Sequence, residues 1–320
     1  MEGGSEGEEG MWNSEYWASK GEVRLYVYRK RATAPEKPAA ALPVLFLVHG
    51  SSNSGRSAFD LQVPGRADYS LMDHFAGLGY DVWTVDHEGY GRSDKTAGNS
   101  DIASGADDLA AAMQVVEQET GLSRVCMYGA SSGALRAALF AQRHPQHVAR
   151  LILSALVYTG KDSPTLLKRR EKLEEYRTHS RRKVDRAFFH SMFTRDKPGT
   201  SEAVVADALA DAELALYDSV PTGTYLDMCA HLPVVDPAQI TCPVLVIRGE
   251  YDGIATEQDL LDFFARLPNR DKQFVFVSGM AHAAALGINR HKFWHVMHAF
   301  LSLPENRALI GRECGEWSSA

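Results

Sequence analysis

Apolar residues fall in short unbroken runs along this chain, separated by longer stretches in which they recur every three or four positions. Residues 44–48 read Val-Leu-Phe-Leu-Val, with no polar side chain. A run so short predicts a strand covered on both faces rather than a helix. Residues 82–85, 125–128, 151–153, 244–247 and 273–277 come close to the same signature. Between the second and third runs, residues 101–119 place Leu109, Met113 and Val116 on one helical face. Thr256-Glu257-Gln258-Asp259 resembles a capping box, in which a hydroxyl and a carboxylate three residues apart satisfy free amides. Leu260, Phe263, Phe264 and Leu267 follow on one face, and Phe293, Met297, Phe300 and Leu301 mark a last amphipathic helix. Strands alternating with helices predict an α/β chain with a mostly parallel central sheet flanked by helices. Residues 23–28 precede it as antiparallel edge strands.

Residues 155–237 break the rhythm and hold no convincing strand. Residues 166–176 predict a highly charged helix, Phe188, Phe189, Met192 and Phe193 a second, residues 201–217 a third and residues 222–231 a fourth. This pattern predicts an inserted helical cap, or lid, over a core made of residues 16–154 and 238–305. The basic run Arg181-Arg182-Lys183 reads as a solvated lid surface. Residues 1–15 are expected to form a disordered acidic tail. Their Gly- and Glu-rich start lacks the apolar core of a signal peptide, and no run of 18 apolar residues predicts a membrane span.

Composition narrows the partners. The 320 residues carry a formal charge of -7, which gives no attraction for nucleic acid or an anionic membrane. Cys126, Cys229, Cys242 and Cys314 are widely spaced, without a C-x-x-C pair, and are expected as reduced thiols in a cytoplasmic protein. Neither a metal-ligand cluster, a phosphate loop nor a dinucleotide fingerprint is present, so no metal and no cofactor is expected. A small-molecule substrate is the expected partner, with the chain as a monomer or a homodimer.

The chemistry starts at Gly129-Ala130-Ser131-Ser132-Gly133. A G-x-S-x-G pentapeptide is common by chance, and as such would be a turn between buried elements. Here it directly follows the strand at 125–128 and precedes an Ala- and Leu-rich helix, the context of a nucleophile elbow. The turn presents the Ser131 hydroxyl at a helix N-terminus, where the dipole favours developing negative charge. The backbone N–H of Ser132 is then one oxyanion donor. His49-Gly50-Ser51-Ser52, after the strand at 44–48, supplies the second from Ser51 or Ser52, with Ser51 the natural donor. His49 itself reads as a packed loop residue.

A serine hydroxyl needs a base. Among twelve histidines, His282 stands in the loop after the last strand, at the carboxyl edge of the sheet where the elbow lies. His74, His144, His147, His291, His295 and His298 lie in or beside helices and read as packing or solvated residues. Asp252, after the strand at 244–247, is the expected orienting acid, with Glu250 as its neighbouring competitor. Ser154-Ala155-Leu156-Val157, after the fourth strand, offers no carboxylate.

The order Ser131, Asp252, His282 is that of the α/β hydrolases, and the chain resembles that superfamily from Val44 to Leu301. Asp86-His87-Glu88-Gly89-Tyr90-Gly91-Arg92-Ser93 is similar to its D-x-x-G-x-G-x-S loop, and residues 77–93 look like the matching region of monoacylglycerol lipases and lysophospholipases. The resemblance implies the α/β-hydrolase fold and a serine hydrolase acting on a small or medium carboxylic ester, thioester, amide or carbamate. It also leaves two alternatives: C–C bond hydrolysis of a diketone acid, which would need an acid-binding arginine, and a non-catalytic small-molecule receptor. Dehalogenases and epoxide hydrolases place Asp at the elbow, which Ser131 disfavours here. Where many members read HGG or HG-x-P, this chain reads HGSSNSG.

Overall fold

A computed structural model describes residues 11–35 and 41–304. Ten strands run in chain order: β1 (Trp12–Lys20), β2 (Val23–Arg31), β3 (Val44–Val48), β4 (Asp81–Val85), β5 (Val125–Ala130), β6 (Val148–Ser154), β7 (Arg181–Lys183), β8 (Ser219–Pro221), β9 (Val244–Gly249) and β10 (Lys272–Val277). Eight of them form one sheet in the order β1-β2-β4-β3-β5-β6-β9-β10. It is parallel from β4 to β10, and antiparallel where β1 meets β2 and β2 meets β4.

The helices are α1 (Gly55–Phe59), α2 (Leu71–Gly77), α3 (Ile102–Thr120), α4 (Ser132–Arg143), α5 (Pro164–Arg170), α6 (Leu173–Thr178), α7 (Arg186–Thr194), α8 (Ala203–Leu214), α9 (Gly223–Leu226), α10 (Glu257–Arg266) and α11 (Arg290–Leu301). Alternation along the central strands divides the apolar core between the two faces of the sheet. Phe46, Val48, Met127, Leu153 and Val246 pack with residues of α3 and α4. Leu45, Leu47, Tyr128, Ile152 and Leu245 pack on the other face with residues of α2 and α11. This explains why these strands read as continuous apolar runs. No helix among the described residues is long and apolar enough to cross a membrane.

The structure departs from the sequence reading in several places. Residues 12–15 belong to β1, not to a disordered tail, while residues 1–10 lie outside the described residues. Trp12, Ser14 and Tyr16 are half-buried and alternate with exposed Asn13, Glu15 and Trp17, the weak signal of a strand at a sheet edge. The stretch after β6 contains two strands, β7 and β8, paired antiparallel. At three residues each they are too short to show a period. The charged helix expected over 166–176 is two helices, α5 and α6. Thr256 does cap α10, accepting from Asp259 N at 3.2 Å. Asp259 does not reach back to complete the box; it accepts from the backbone N–H groups of Tyr158, Thr159 and Gly160.

Candidate active site

Strand β5 ends at Ala130 and α4 starts at Ser132, so Ser131 alone makes the turn. Its φ of 58° and ψ of -124° lie where L-residues rarely go, a strained conformation held by its surroundings. Two glycines permit it. A Cβ on Gly129 would meet the carbonyl oxygen of Gly133 at 2.5 Å, and one on Gly133 would meet that of Val48 at 2.3 Å. Ser131 Oγ therefore projects at the amino end of α4, above the carboxyl edge of the sheet.

The loops after β9 and β10 bring the other two groups to it. Ser131 Oγ donates to His282 Nε2 at 3.0 Å, and His282 Nδ1 donates to Asp252 Oδ1 at 2.8 Å. Asp252 is buried and also accepts from Ile254 N at 3.0 Å. Burial opposes its ionisation most strongly, but His282, the Ile254 amide and the charge of Arg195 together outweigh that and hold the carboxyl below the usual range. Arg248, on β9, secures this loop from below: its guanidinium donates to the carbonyls of Gly249, Glu250, Asp252 and Ala255. Glu250 stands outside the relay, accepting from Gly279 N at 2.7 Å.

The loop after β3 closes the other side. Gly50 lies against the elbow, where an added Cβ would sit 3.3 Å from Ser131 Cβ. Thr224 Oγ1 donates to Ser51 Oγ (2.8 Å), which in turn bonds Ser132 Oγ (2.6 Å). The two serine side chains thus fix each other. Tyr90 OH donates to the Ser51 carbonyl at 3.1 Å. The backbone N–H groups of Ser51 and Ser132 are not taken up by backbone acceptors among the described residues. His49 is fully buried; its Nδ1 donates to Gly50 O and its Nε2 accepts from His87 N, as expected of a packed loop residue.

Ser131 and His282 open into a cleft with about 760 Å³ of empty space, its mouth included. Phe59, Tyr128, Met192, Phe193, Leu209 and Leu286 give it apolar walls. Of the residues that mark the second lid helix, Met192 and Phe193 line the cleft and Phe188 and Phe189 do not, whereas Arg169 and Arg195 do. Arg182, read as a solvated charge, is held between the rings of Phe188 and Tyr225 and donates to Tyr225 OH at 2.7 Å. Tyr225 OH also bonds Ser52 Oγ at 2.9 Å. Asp196 comes close to the relay: one oxygen each of Asp196 and Asp252 and one nitrogen of His282 lie within 4.8 Å of one another. These three are the only set of metal-ligand type found among the described residues. An ion there would engage the same groups as the relay.

The sequence profile of the serine aminopeptidase S33 family matches residues 63–286. The chain belongs to this α/β-hydrolase family. Solved structures of similar fold cover nearly the whole described chain. A hydrolase from Pseudomonas aeruginosa PA01 aligns with a TM-score of 0.65 at 18% identity, over 90% of this chain and 98% of that one. E-2-(acetamidomethylene)succinate hydrolase gives 0.65 at 18%, over 91% and 100%. A thermophilic esterase from Thermogutta terrifontis gives 0.64 at 21%, over 90% and 98%. No curated protein matches the sequence. As an S33-type α/β hydrolase the chain is an enzyme of the hydrolase class. Arg169, Arg195, Asp196, Tyr225 and Arg248 were not singled out by sequence. Four of them are charged, and a charge in a helical or loop segment carries no mark of whether tertiary packing will bury it.

Proposed function

We propose that this S33-family hydrolase cleaves a carboxylic ester, or the related thioester, amide or carbamate, through an acyl-serine intermediate. The observation that carries the reading is the continuous hydrogen-bonded chain from strained Ser131 through His282 to buried Asp252. In this reaction Ser131 Oγ bonds the acyl carbon while its proton passes to His282 Nε2. The carbonyl electrons move onto oxygen, where the N–H groups of Ser51 and Ser132 receive the charge; losing one such donor costs about 3–4 kcal/mol. Collapse expels the leaving group, which takes the proton from His282. Water then repeats the sequence against the acyl-serine. Residues 155–237 act as a cap that supplies one wall of the cleft.

The test is an alkyl fluorophosphonate. Ser131 Oγ should bond phosphorus as fluoride leaves and the hydroxyl proton passes to His282. Mass spectrometry should find the adduct on Ser131, and Ser131→Ala should abolish both the adduct and turnover of p-nitrophenyl esters while leaving the circular dichroism spectrum unchanged. An adduct elsewhere with Ser131 free would sink the assignment.

A further inference from the structure

Among the described residues, six arginines have a buried guanidinium nitrogen without a hydrogen-bond partner. Five of them have partners elsewhere on the same side chain: Arg31 with Asp81, Arg136 with Ser100, Arg150 with Leu303, Arg182 with Tyr225 and Arg248 with the loop after β9. Arg169, on α5, is the exception among the described residues. Its guanidinium lies over the Tyr225 ring, 5.0 Å from the centroid, and lines the cleft that holds Ser131. Desolvation and the like charge of Arg195 pull it down to about 10, and no carboxylate is among the groups that act most strongly on it. A cation desolvated without a counter-charge is costly, and the Tyr225 ring beneath it offsets that cost only in part. Arg195 lines the same cleft, with Asp196 3.6 Å from its Nε, and its charge also favours the ionised Asp252. Arg195 thus has carboxylates beside it, and Arg169 is the guanidinium left without one among apolar walls, a setting that suits one substrate anion.

We propose that Arg169, with Arg195 beside it, binds a carboxylate on the substrate, so that the acyl compound cleaved at Ser131 is an apolar molecule bearing an acid group apart from its scissile bond. The inference rests on the serine-hydrolase reading above. A guanidinium presents paired donors that match a carboxylate, and such charge-assisted bonds are strong where water is excluded. The free acid would orient the substrate so that its acyl carbon meets Ser131.

Two fluorophosphonates test this, identical except that one ends in a carboxylate and the other in its methyl ester. The second-order rate of Ser131 labelling should be at least about tenfold higher for the acid, the scale of one charge-assisted hydrogen bond. In Arg169→Gln that ratio should fall to about one or below. Arg169→Lys, which keeps the charge and guards against loss of fold, should retain a ratio between the two. A wild-type ratio near one with Ser131 labelled by both would overturn the inference and leave the hydrolase reading standing. A high ratio that survives Arg169→Gln would overturn the role of Arg169. No labelling of Ser131 by either probe would overturn the hydrolase reading and this inference with it.

Discussion

Asp252 and Glu250 are two residues apart with the same functional group, and their surroundings separate them. Asp252 is buried and accepts from His282 Nδ1; Glu250 accepts from the Gly279 amide. In the proposed reaction the carboxylate on Nδ1 fixes the tautomer that leaves Nε2 free, and then stabilises the imidazolium formed during attack. Asp252→Asn should therefore keep its fold and lose on the order of 10⁴ in kcat, the scale seen when this role is removed in another serine hydrolase. Glu250→Gln should change kcat by less than about tenfold, since an amide oxygen can still accept from Gly279. Steady-state kinetics on one p-nitrophenyl ester would decide; a crippled Glu250→Gln beside a near-normal Asp252→Asn would reverse the assignment. The three residues of the relay were legible because each follows a strong strand signal at a fixed place in the chain order. Arg169 was not, because its burial depends on α5 and Tyr225 meeting, which no local pattern reports.

Among the elements, α8 shows how the segment after β6 is tied down. Glu213, near its end, is fully buried against the loop after β3 and accepts from Ser54 N at 2.7 Å and from Tyr217 OH. Burial pushes its carboxyl up to about 8 from an ordinary 4.5. The folded chain thus holds a proton that the unfolded chain releases between those values. The contribution to stability is complete below about pH 4.5 and is lost as pH rises through 8. Thermal unfolding should show the Tm of the native chain falling between pH 5 and pH 9 relative to Glu213→Gln, by about 1.5 °C for each kcal/mol lost in a chain of this length. Parallel curves for the two proteins would remove Glu213 as the cause. The sequence shows the apolar face of α8 but not this contact, since a Glu on a helix ordinarily faces water. The same limit applies to β7 and β8, whose pairing depends on the turn of chain between them. The inner strands were legible because burial on both faces leaves no polar position to confuse the pattern.

Over the whole molecule, everything chemical gathers at one edge of the sheet. The chain leaves β6 at Ser154 on that edge, builds α5 to α9 above it, and must return to the opposite edge before β9 begins at Val244. It has begun the return by Asp236, whose N–H donates to Gln142 near the far end of α4. Parallel pairing sets Leu151 beside Val244 and Ser154 beside Ile247, so the departure and re-entry points of the 155–243 segment are separated by about three residues of strand, roughly 10 Å along the sheet. Splicing Ser154 directly to Val244 would leave a gap that no peptide bond can span. A transplant between relatives would have to be cut within 155–231 and keep residues 232–243 as native chain. Recombination that respects this seam exchanges one wall of the cleft, Arg169 and Arg195 included, while Ser131, Asp252 and His282 stay in their own host.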